Sequence, residues 1–272
     1  MLASFLIEFY LLWHGKLRLP GAGILLRLFR GFVPGLQDFP LSFGESKVAR
    51  ISFLDQASFS LLNYKAGEMG NHRFLFDEMA RRLHPGDILW DVGANVGLVS
   101  LHFSQACFRL KKIHAFEPST GPLRTLQTLF DSSLNVKIHS FGLSSAAQSR
   151  RLISRSGDSS YGAVASISNS VAGEIIHLHP GDEIVSSGIE PPQMLKIDVE
   201  GHEPDVLIGL CQTIHRFRPA IFFEHIFLSD EVLRGMVPPG YHLSFLLDDG
   251  TWSKDFSSRH QGHEAFLEPS AD

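Results

Sequence analysis

Three short apolar segments of the sequence carry acidic residues at or just beyond their ends. The first contains Asp91 and runs into a glycine-rich loop, the second ends just before Glu117, and the third carries Asp198 and Glu200. A carboxylate can accept hydrogen bonds, take up a proton or bind a cation. Acids repeated in this pattern predict a site for a polar ligand, built where several strands of one sheet end.

The loop after the first apolar segment reads DVGANVG, residues 91–97. Gly93 and Gly97 allow a sharp turn and a close approach of a ligand to the backbone, and Asn95 tolerates a positive φ. In open α/β sheets, such a loop lies beyond the carboxyl end of a strand, where nucleotides bind. A glycine turn that serves packing alone is the alternative, because glycine loops by themselves are weak signals.

Asp91 separates two classes of nucleotide cofactor. A pyrophosphate group needs positive potential from backbone N–H groups and a helix N-terminus, and a carboxylate opposes it. S-adenosylmethionine carries an ammonium and a sulfonium group and no phosphate, so a carboxylate favours it. Glu117, about 20 residues after Gly97, can accept hydrogen bonds from a ribose diol in either cofactor. The sequence therefore favours S-adenosylmethionine, and a nicotinamide-dependent oxidoreductase is the weaker alternative.

The stretch MLKIDVEGHEPDVL, residues 194–207, holds another dense group of acids. In an extended strand, Lys196, Asp198 and Glu200 point to the same side. A lysine within an apolar strand needs a partner, and Asp198 and Glu224 are the candidates for Lys196. We expect these acids to lie at the same edge of the sheet as the glycine loop.

Proton transfer at this edge requires a base. Glu200 is the first candidate, followed by His202 and His225, because histidine titrates near neutral pH. Asp198 offers a contact to the cofactor ammonium, or a ligand for a divalent metal that acidifies a hydroxyl group. The sequence assigns no metal-ligand set beyond that option. The acids also fit helix capping and solvation, and His225 fits an exposed loop equally well.

Strand and helix patterns alternate from residue 87 onward, which predicts a mostly parallel sheet with helices on both faces. The pieces 241–247 and 263–267 add an antiparallel hairpin at its edge. The strand-like apolar runs cover 87–92, 112–116, 135–141, 193–199 and 219–223, and the helical patterns between them cover 97–108, 119–132 and 203–216.

The region before this alternation is harder to interpret. Residues 1–45 predict an irregular, partly helical extension, and residues 46–272 predict the ligand-binding domain. At the start of this domain, the segments KVARISF and FSLLNY indicate β-structure. The opening run is shorter than the ~20 apolar residues of a membrane span, and Glu8 interrupts it, so we expect a helix that packs on the domain. A helix that binds a membrane surface or a partner is the alternative.

A long segment rich in Ser, Gly and Ala, residues 144–173, interrupts the alternation. It exceeds the usual connection of about 4–6 residues. The segment fits either a surface loop with one short strand or a lid that faces a substrate.

Composition excludes several classes of protein. The chain of 272 residues has a formal net charge of −5 and two cysteines. Two cysteines exclude a disulfide framework and a four-cysteine metal site, and they fit a reducing cytoplasm. An acidic chain is a poor match for a phosphate backbone, so we expect no nucleic-acid partner. The oligomeric state does not follow from the sequence.

Four motifs, WDVGANVG, FEP, KIDVEGHE and PAIFFEH, occur in this order between about residues 85 and 225. Together they resemble those of the FkbM-type S-adenosylmethionine-dependent methyltransferases. The resemblance implies a class I methyltransferase fold, a Rossmann-like three-layer sandwich with a seven-stranded sheet. It also implies O-methylation of a hydroxyl group on a sugar, a polyketide or a related small molecule or glycan.

The resemblance also implies roles for individual residues. Asp91, Gly93, Asn95 and Gly97 match the cofactor loop and Glu117 the ribose acid; Gly142, Leu143 and Ser144 fall near the adenine; Asp198, Glu200, Gly201 and Glu203 match the fourth-strand motif. Relatives show a Leu-Asp-Asp-like segment where this chain has LHPGDEIV, so the alignment of Asp182 is open. A non-catalytic module of the same fold is the alternative from another functional class.

Overall fold

The computed structural model describes residues 2–16, 26, 28–29, 31–44, 47–53, 57–70, 72–105, 107–131, 133–154, 162–165 and 173–270. Within these residues, eight strands form the main sheet, in the order β13-β12-β14-β11-β10-β3-β4-β5. These strands are β3 (Ile88–Val92), β4 (Lys112–Phe116), β5 (Val136–His139), β10 (Met194–Ile197), β11 (Ala220–Glu224), β12 (Tyr241–Leu246), β13 (Trp252–Ser253) and β14 (Glu264–Pro269).

The main sheet confirms the predicted α/β architecture. The five strands from β11 to β5 are parallel to their neighbours, whereas β14, β12 and β13 pair antiparallel. The sheet contains the seven strands expected for the class and, in addition, the two-residue β13. β3 and β10 are buried along their whole length, which is typical of parallel strands covered on both faces.

Helices cover the two faces of the sheet. They are α1 (Leu2–Tyr10), α2 (Ser58–Lys65), α3 (His72–Arg82), α4 (Leu98–Phe103), α5 (Thr120–Phe130), α6 (Gly181–Ser186), α7 (Glu203–Gly209), α8 (Cys211–Phe217) and α9 (Asp230–Gly235); π-helical Leu11–Lys16 and 3₁₀ segments Pro34–Leu36 and Phe256–Gln261 add to them.

The prediction of one helix over residues 203–216 was wrong, because the chain forms α7 and α8 with a break at Leu210. The break follows a position where the backbone is closely packed. A Cβ atom at Gly209 would lie 1.9 Å from the carbonyl oxygen of Ser144. The backbone of α7 therefore ends pressed against the strand end that carries Ser144.

The interpretation of FSLLNY as β-structure was also wrong, since these residues lie in α2. Ser58, Phe59, Leu61 and Leu62 are buried, and this spacing places them on one face of a helix. The apolar, aromatic residues of FSLLNY favour a strand only where a neighbouring strand is available. KVARISF behaves as expected, because β2 (Lys47–Ile51) pairs antiparallel with β1 (Phe39–Phe43).

The N-terminal extension packs on the domain where it is described. Leu6, Ile7 and Tyr10 of α1 are buried in the same apolar core as Phe76 and Met79 of α3. The hydroxyl of Tyr10 also donates a hydrogen bond to Asn63 Oδ1 at 2.5 Å. Among the described residues, no helix is long and apolar enough to cross a membrane.

A second sheet occupies much of the predicted insertion. In the described part of the chain it contains β6 (Gly142–Leu143), β7 (Gln148–Ser154), β8 (Gly162–Ala165) and β9 (Glu174–His179), in the order β6-β9-β7-β8. The segment 144–173 thus contributes two strands where one was expected. Residues 155–161 and 166–172 lie outside the described residues.

Candidate active site

A cleft of about 390 Å³ opens at the carboxyl ends of β3, β4 and β10. This volume falls within the ~300–1,000 Å³ of small-molecule sites. The predicted cofactor residues that line the cleft are Asp91, Gly93, Asn95, Glu117, Gly142, Leu143 and Asp198, and the predicted catalytic residues that line it are Glu200 and His202. Gly97 and Ser144 lie just behind the cleft and do not line it.

The glycine loop has the backbone conformation that the sequence predicts. Gly93, Asn95 and Gly97 have φ values of 79°, 50° and 90°. A Cβ atom at Gly93 would lie 1.9 Å from the carbonyl oxygen of Asp198, and one at Gly97 would lie 2.5 Å from Leu126 Cδ1. Gly93 therefore allows the loop to pack against the end of β10, rather than leaving room for a ligand.

Asp91 is a buried acid that also orients the helix after the loop. Its side chain is 2% exposed, and Oδ2 accepts hydrogen bonds from Ser100 Oγ at 2.6 Å and Ser100 N at 3.1 Å. Burial raises the pKa of Asp91 to about 6. The carboxyl group thus fixes α4 and places partial negative charge at the floor of the cleft.

Glu117 is held in position by the backbone of two loops. Its Oε2 accepts a hydrogen bond from Asn95 N at 2.9 Å, and its Oε1 accepts one from Ser119 N at 2.8 Å. Burial raises the pKa of Glu117 to about 7. The two N–H groups orient the carboxyl group, which lines the cleft.

Lys196 and two acids form a buried ion-pair group beneath the cleft. Lys196 Nζ lies 2.9 Å from Glu264 Oε2 and 3.5 Å from Asp198 Oδ2, and its side chain is 1% exposed. The sequence predicted Asp198 or Glu224 as the partner. The ion pairs of the described structure are with Asp198 and with Glu264, which comes from the distant strand β14. A lysine in this environment is already neutralised and leaves little positive charge for a phosphate group.

Glu203 lies outside the cleft and holds the loop after β10. The residue is 1% exposed, and its Oε1 accepts hydrogen bonds from Val199 N at 3.1 Å and Gly201 N at 3.2 Å. Glu200, between these two residues, has a φ of 56°. Glu203 therefore stabilises the loop that presents Glu200 and does not itself face a ligand.

The two predicted histidines have different surroundings. His202 lines the cleft, where its Nε2 lies 3.0 Å from Ser144 Oγ. His225 is 1% exposed and does not line the cleft. Its ring contacts that of Phe245 edge-on, with 5.2 Å between the ring centroids. Burial lowers the pKa of His225 to about 4. The structure thus brings His202 to the cleft and leaves His225 in the core.

A second cavity, also of about 390 Å³, adjoins the cleft. The residues that line both spaces are Ser60, His72, Leu98, Asp198 and Glu224. α2, α3 and the C-terminal strands supply the rest of the wall. Sequence reasoning missed His72 and Glu264 in this wall, since neither belongs to a motif at the end of a predicted parallel strand.

Glu224 lies at the boundary between the two cavities. Its Oε2 is buried and has no hydrogen-bond partner among the described residues. Burial, reinforced by the negative charge of Asp198, raises the pKa of Glu224 to about 9. An unpartnered carboxyl group at this position is available to a ligand.

Three carboxyl groups are close enough to share a cation. Single oxygens of Asp198, Glu200 and Glu224 lie within 4.8 Å of one another, and carboxylate oxygens are the ligands that hard divalent cations prefer. The sequence analysis raised a metal only for Asp198. Glu224 is the addition that the structure makes.

The charge and the donors of the cleft fit a phosphate-free, cationic cofactor. Its acids are Asp91, Glu117, Asp198, Glu200 and Glu224. Among the described lining residues the one lysine, Lys196, is already paired, and there is no arginine. Asn95 Oδ1 is buried and has no hydrogen-bond partner within the described chain. Such a cleft suits the ammonium, sulfonium and ribose of S-adenosylmethionine and opposes a pyrophosphate.

Comparison with known proteins agrees with this geometry. The family described as "Methyltransferase FkbM domain" matches residues 91–248. The hexuronic acid methyltransferase AglP of Haloferax volcanii is 34% identical over 158 residues, which cover 54% of this chain and 58% of AglP. This chain thus spans less than two thirds of that relative.

A solved structure supports the fold. The methyltransferase FkbM from Methylobacillus flagellatus KT superposes with a TM-score of 0.51 at 17% identity, covering 78% of this chain and 54% of that one. The family match, over residues 91–248, extends over more than half of the chain and includes the glycine loop, Glu117 and the β10 acids. The chain therefore belongs to the FkbM methyltransferase family.

Proposed function

We propose that the chain is an S-adenosylmethionine-dependent methyltransferase that methylates a hydroxyl group of a sugar or a sugar-like molecule. The acid-lined cleft, in which the lysine among the described lining residues is already paired and no arginine is present, is the observation that carries the cofactor assignment. The sugar assignment is supported by AglP, which is a hexuronic acid methyltransferase. The cofactor supplies a methyl group that its sulfonium has already activated.

The residues of the cleft divide the binding of the cofactor among them. Glu117 accepts hydrogen bonds from the ribose hydroxyls, because its carboxyl group is already oriented by two N–H groups. Asp198 supplies negative charge for the ammonium. Gly142 and Leu143, with the apolar side chains of Leu152 and Ile176, form the side of the cleft that suits the adenine ring.

The proton acceptor belongs where the two cavities meet. A hydroxyl group that enters from the second cavity reaches the cleft past Asp198 and Glu224. Glu200 and His202 line the cleft but not the second cavity, so they are less suited to this role than the sequence predicted. Positive charge in the cleft favours the ionised form of Glu224, and its unpartnered Oε2 then takes the hydroxyl proton.

A divalent cation at Asp198, Glu200 and Glu224 is the alternative to direct proton transfer. It would acidify the acceptor hydroxyl and relieve the repulsion among the three acids. The ammonium of Lys196 already lies 3.5 Å from Asp198 and competes for that carboxylate. We therefore favour the metal-free arrangement, and loss of methyl transfer on treatment with a chelator, restored by magnesium, would reverse this preference.

The remaining expectations become part of the proposal. We retain residues 46–272 as the methyltransferase domain, and we place the reaction in a reducing cytoplasm, where the exposed free thiols of Cys107 and Cys211 are stable. The acidic cleft gives no support to a nucleic-acid partner.

Calorimetry with S-adenosylmethionine and NAD tests the cofactor assignment. We expect one S-adenosylmethionine site per chain and no binding of NAD. The opposite preference would favour an oxidoreductase. Cofactor binding without any methyl transfer to a panel of hydroxylated sugars and polyketides would favour the non-catalytic module.

Two substitutions test the assignment of the base. Glu224→Gln and Glu200→Gln should both retain the cofactor, but only Glu224→Gln should lower methyl transfer by ~10²-fold or more. Glu183→Gln, on the exposed face of α6, is the control for removal of an acid elsewhere. Full activity of Glu224→Gln would leave Asp198 and His72 as the next candidates.

A further inference from the structure

The family match covers only part of the walls of the second cavity. One wall contains residues of α2 and α3 between Ser60 and Phe76, which precede the matched residues 91–248. The facing wall contains His263 and Glu264, which follow them. Elements outside the family match therefore shape the space next to the cofactor cleft.

Carboxyl groups dominate the polar lining of this cavity. Among the described residues that line it, none is a lysine or an arginine. The acids are Glu68, Asp198, Glu224, Asp248 and Glu264. Aromatic side chains, including that of Phe74, complete the lining and offer apolar surface to a ring.

Lys196 compensates for only part of this charge within the described structure. It is buried and paired with both Glu264 and Asp198, so two carboxylates share one ammonium. Burial lowers the pKa of His72, so its ring adds no positive charge at physiological pH. Burial also raises the pKa of Glu224 to about 9, so this group is largely protonated and adds no negative charge. The cavity thus keeps a net negative charge, offers hydrogen-bond acceptors and repels anions.

We propose that this cavity binds a methyl acceptor that brings hydroxyl groups and no anionic group, and that it excludes carboxylated sugars. Hydroxyl groups donate hydrogen bonds to the carboxylates, whereas a carboxylate would enter a space of like charge whose described lining contains no lysine or arginine. This inference rests on the proposed methyltransferase function and narrows its substrate. It also separates this chain from AglP, the relative named for a hexuronic acid.

Three matched methyl glycosides test the proposal: methyl glucoside, methyl glucuronide and methyl glucosaminide. Compared with the glucoside, the glucuronide has a carboxylate in place of the exocyclic CH2OH group, and the glucosaminide has an amine in place of one ring hydroxyl. Their dissociation constants are measured by saturation-transfer NMR with the full chain, saturated with S-adenosylhomocysteine, at pH 8. We expect the glucuronide to bind at least tenfold more weakly than the glucoside, and the glucosaminide to bind at least as well as the glucoside.

A charge-reversing variant tests whether the lining causes the discrimination. Asp248→Lys should reduce the ratio of the glucuronide and glucoside dissociation constants, the gap between the two ligands, at least threefold, because it places a cation in the wall. Asp131→Lys makes the same change of charge at the exposed end of α5, outside both cavities, and should leave the gap unchanged. Equal narrowing in both variants would show a general effect of net charge and would overturn the assignment to this cavity.

The remaining outcomes are also decisive. A glucuronide that binds as well as the glucoside, or better, overturns the proposal. Absence of binding by all three glycosides also overturns it, since the cavity then takes no sugar. Calorimetry of S-adenosylmethionine on the same preparation keeps these failures apart from a failure of the proposed function, which would appear as the loss of cofactor binding itself.

Discussion

Glu117 shows how one buried carboxyl group can make a binding site depend on pH. Two backbone N–H groups orient it, yet burial raises its pKa to about 7. The free protein therefore holds Glu117 largely protonated below pH 7, and the ionised form, which we propose accepts hydrogen bonds from the ribose hydroxyls, predominates above it. Affinity for the cofactor should consequently fall as the pH falls through 7.

We predict that the dissociation constant of S-adenosylmethionine rises about tenfold between pH 8 and pH 6, since each unit below the pKa of the free group costs up to a factor of ten. Glu117→Gln should weaken binding at pH 8 by about 1.5–3 kcal/mol and remove this part of the pH dependence. Asp91, whose pKa is raised to about 6, titrates in both proteins. Calorimetry at several pH values provides the measurement, and an equally steep profile in Glu117→Gln would contradict the role of Glu117.

Gly93 supports the site because it lets the loop backbone pack closely against the end of β10. Gly93→Ala should lower stability by at least about 3 kcal/mol, because a left-handed φ costs an alanine ~1–2 kcal/mol and its Cβ would also meet the carbonyl oxygen of Asp198. Gly188→Ala is the matched control, with a φ of 102° and nothing within 4 Å of the added Cβ. Thermal unfolding should separate the two variants by several degrees, and equal melting temperatures would refute the steric argument.

At the scale of the element, the loop between β10 and α7 involves two acids in different environments. Glu203 is buried and accepts hydrogen bonds from the loop backbone, whereas Glu200 is partly exposed and lines the cleft. The sequence placed both among the rim acids that serve chemistry. For Glu200 that role stays a prediction, because the structure shows only that it lines the cleft, whereas the hydrogen bonds of Glu203 indicate a structural role.

We predict that Glu203→Ala destabilises the protein by about 1–3 kcal/mol, because it leaves two loop N–H groups without their acceptor. Glu200→Gln should keep the melting temperature of the parent or raise it, since it removes an acid from a repelling group. Denaturant unfolding measures both effects. The reverse order of stability would mean that Glu200 supports the loop and Glu203 does not.

The elements also show why the sequence could predict one half of the site and not the other. Asp91, Glu117 and Asp198 each end a parallel strand, and parallel strands bring their carboxyl ends to one edge, so local patterns suffice. His72 and Glu264 reach the second cavity only through packing of α3 and β14 on distant parts of the chain. His225 adjoins Glu224 in sequence, but the neighbouring position on the strand end faces the core.

At the scale of the whole molecule, α1 belongs to the core of the protein. Leu6, Ile7 and Tyr10 are buried, and Tyr10 donates a hydrogen bond to Asn63 of α2, which lines the second cavity. The N-terminal extension therefore contacts a helix that borders the ligand space. This arrangement favours packing over membrane attachment as the role of the extension.

We predict that a chain lacking residues 2–16 melts several degrees lower than the full chain, because burial of each large apolar side chain is worth roughly 1.5–3 kcal/mol. Tyr10→Phe, which removes the hydroxyl that donates a hydrogen bond to Asn63, should cost ~1 kcal/mol. Sedimentation with anionic vesicles should show no difference between the full and the shortened chain. Binding to vesicles by the full chain alone would identify the segment as a membrane-surface helix.

β14 lies between β11 and β12 in the sheet, although it follows both in the chain. Its first residue, Glu264, provides the closer of the two acids that neutralise Lys196. N-terminal segments fold first while a protein is being synthesised, so β11 lacks this neighbouring strand, and Lys196 its nearest counter-charge, until residue 264 and the rest of β14 have been translated. Products of interrupted translation that stop before residue 264 should therefore be inert and expose a strand edge, which makes them recognisable to chaperones and proteases.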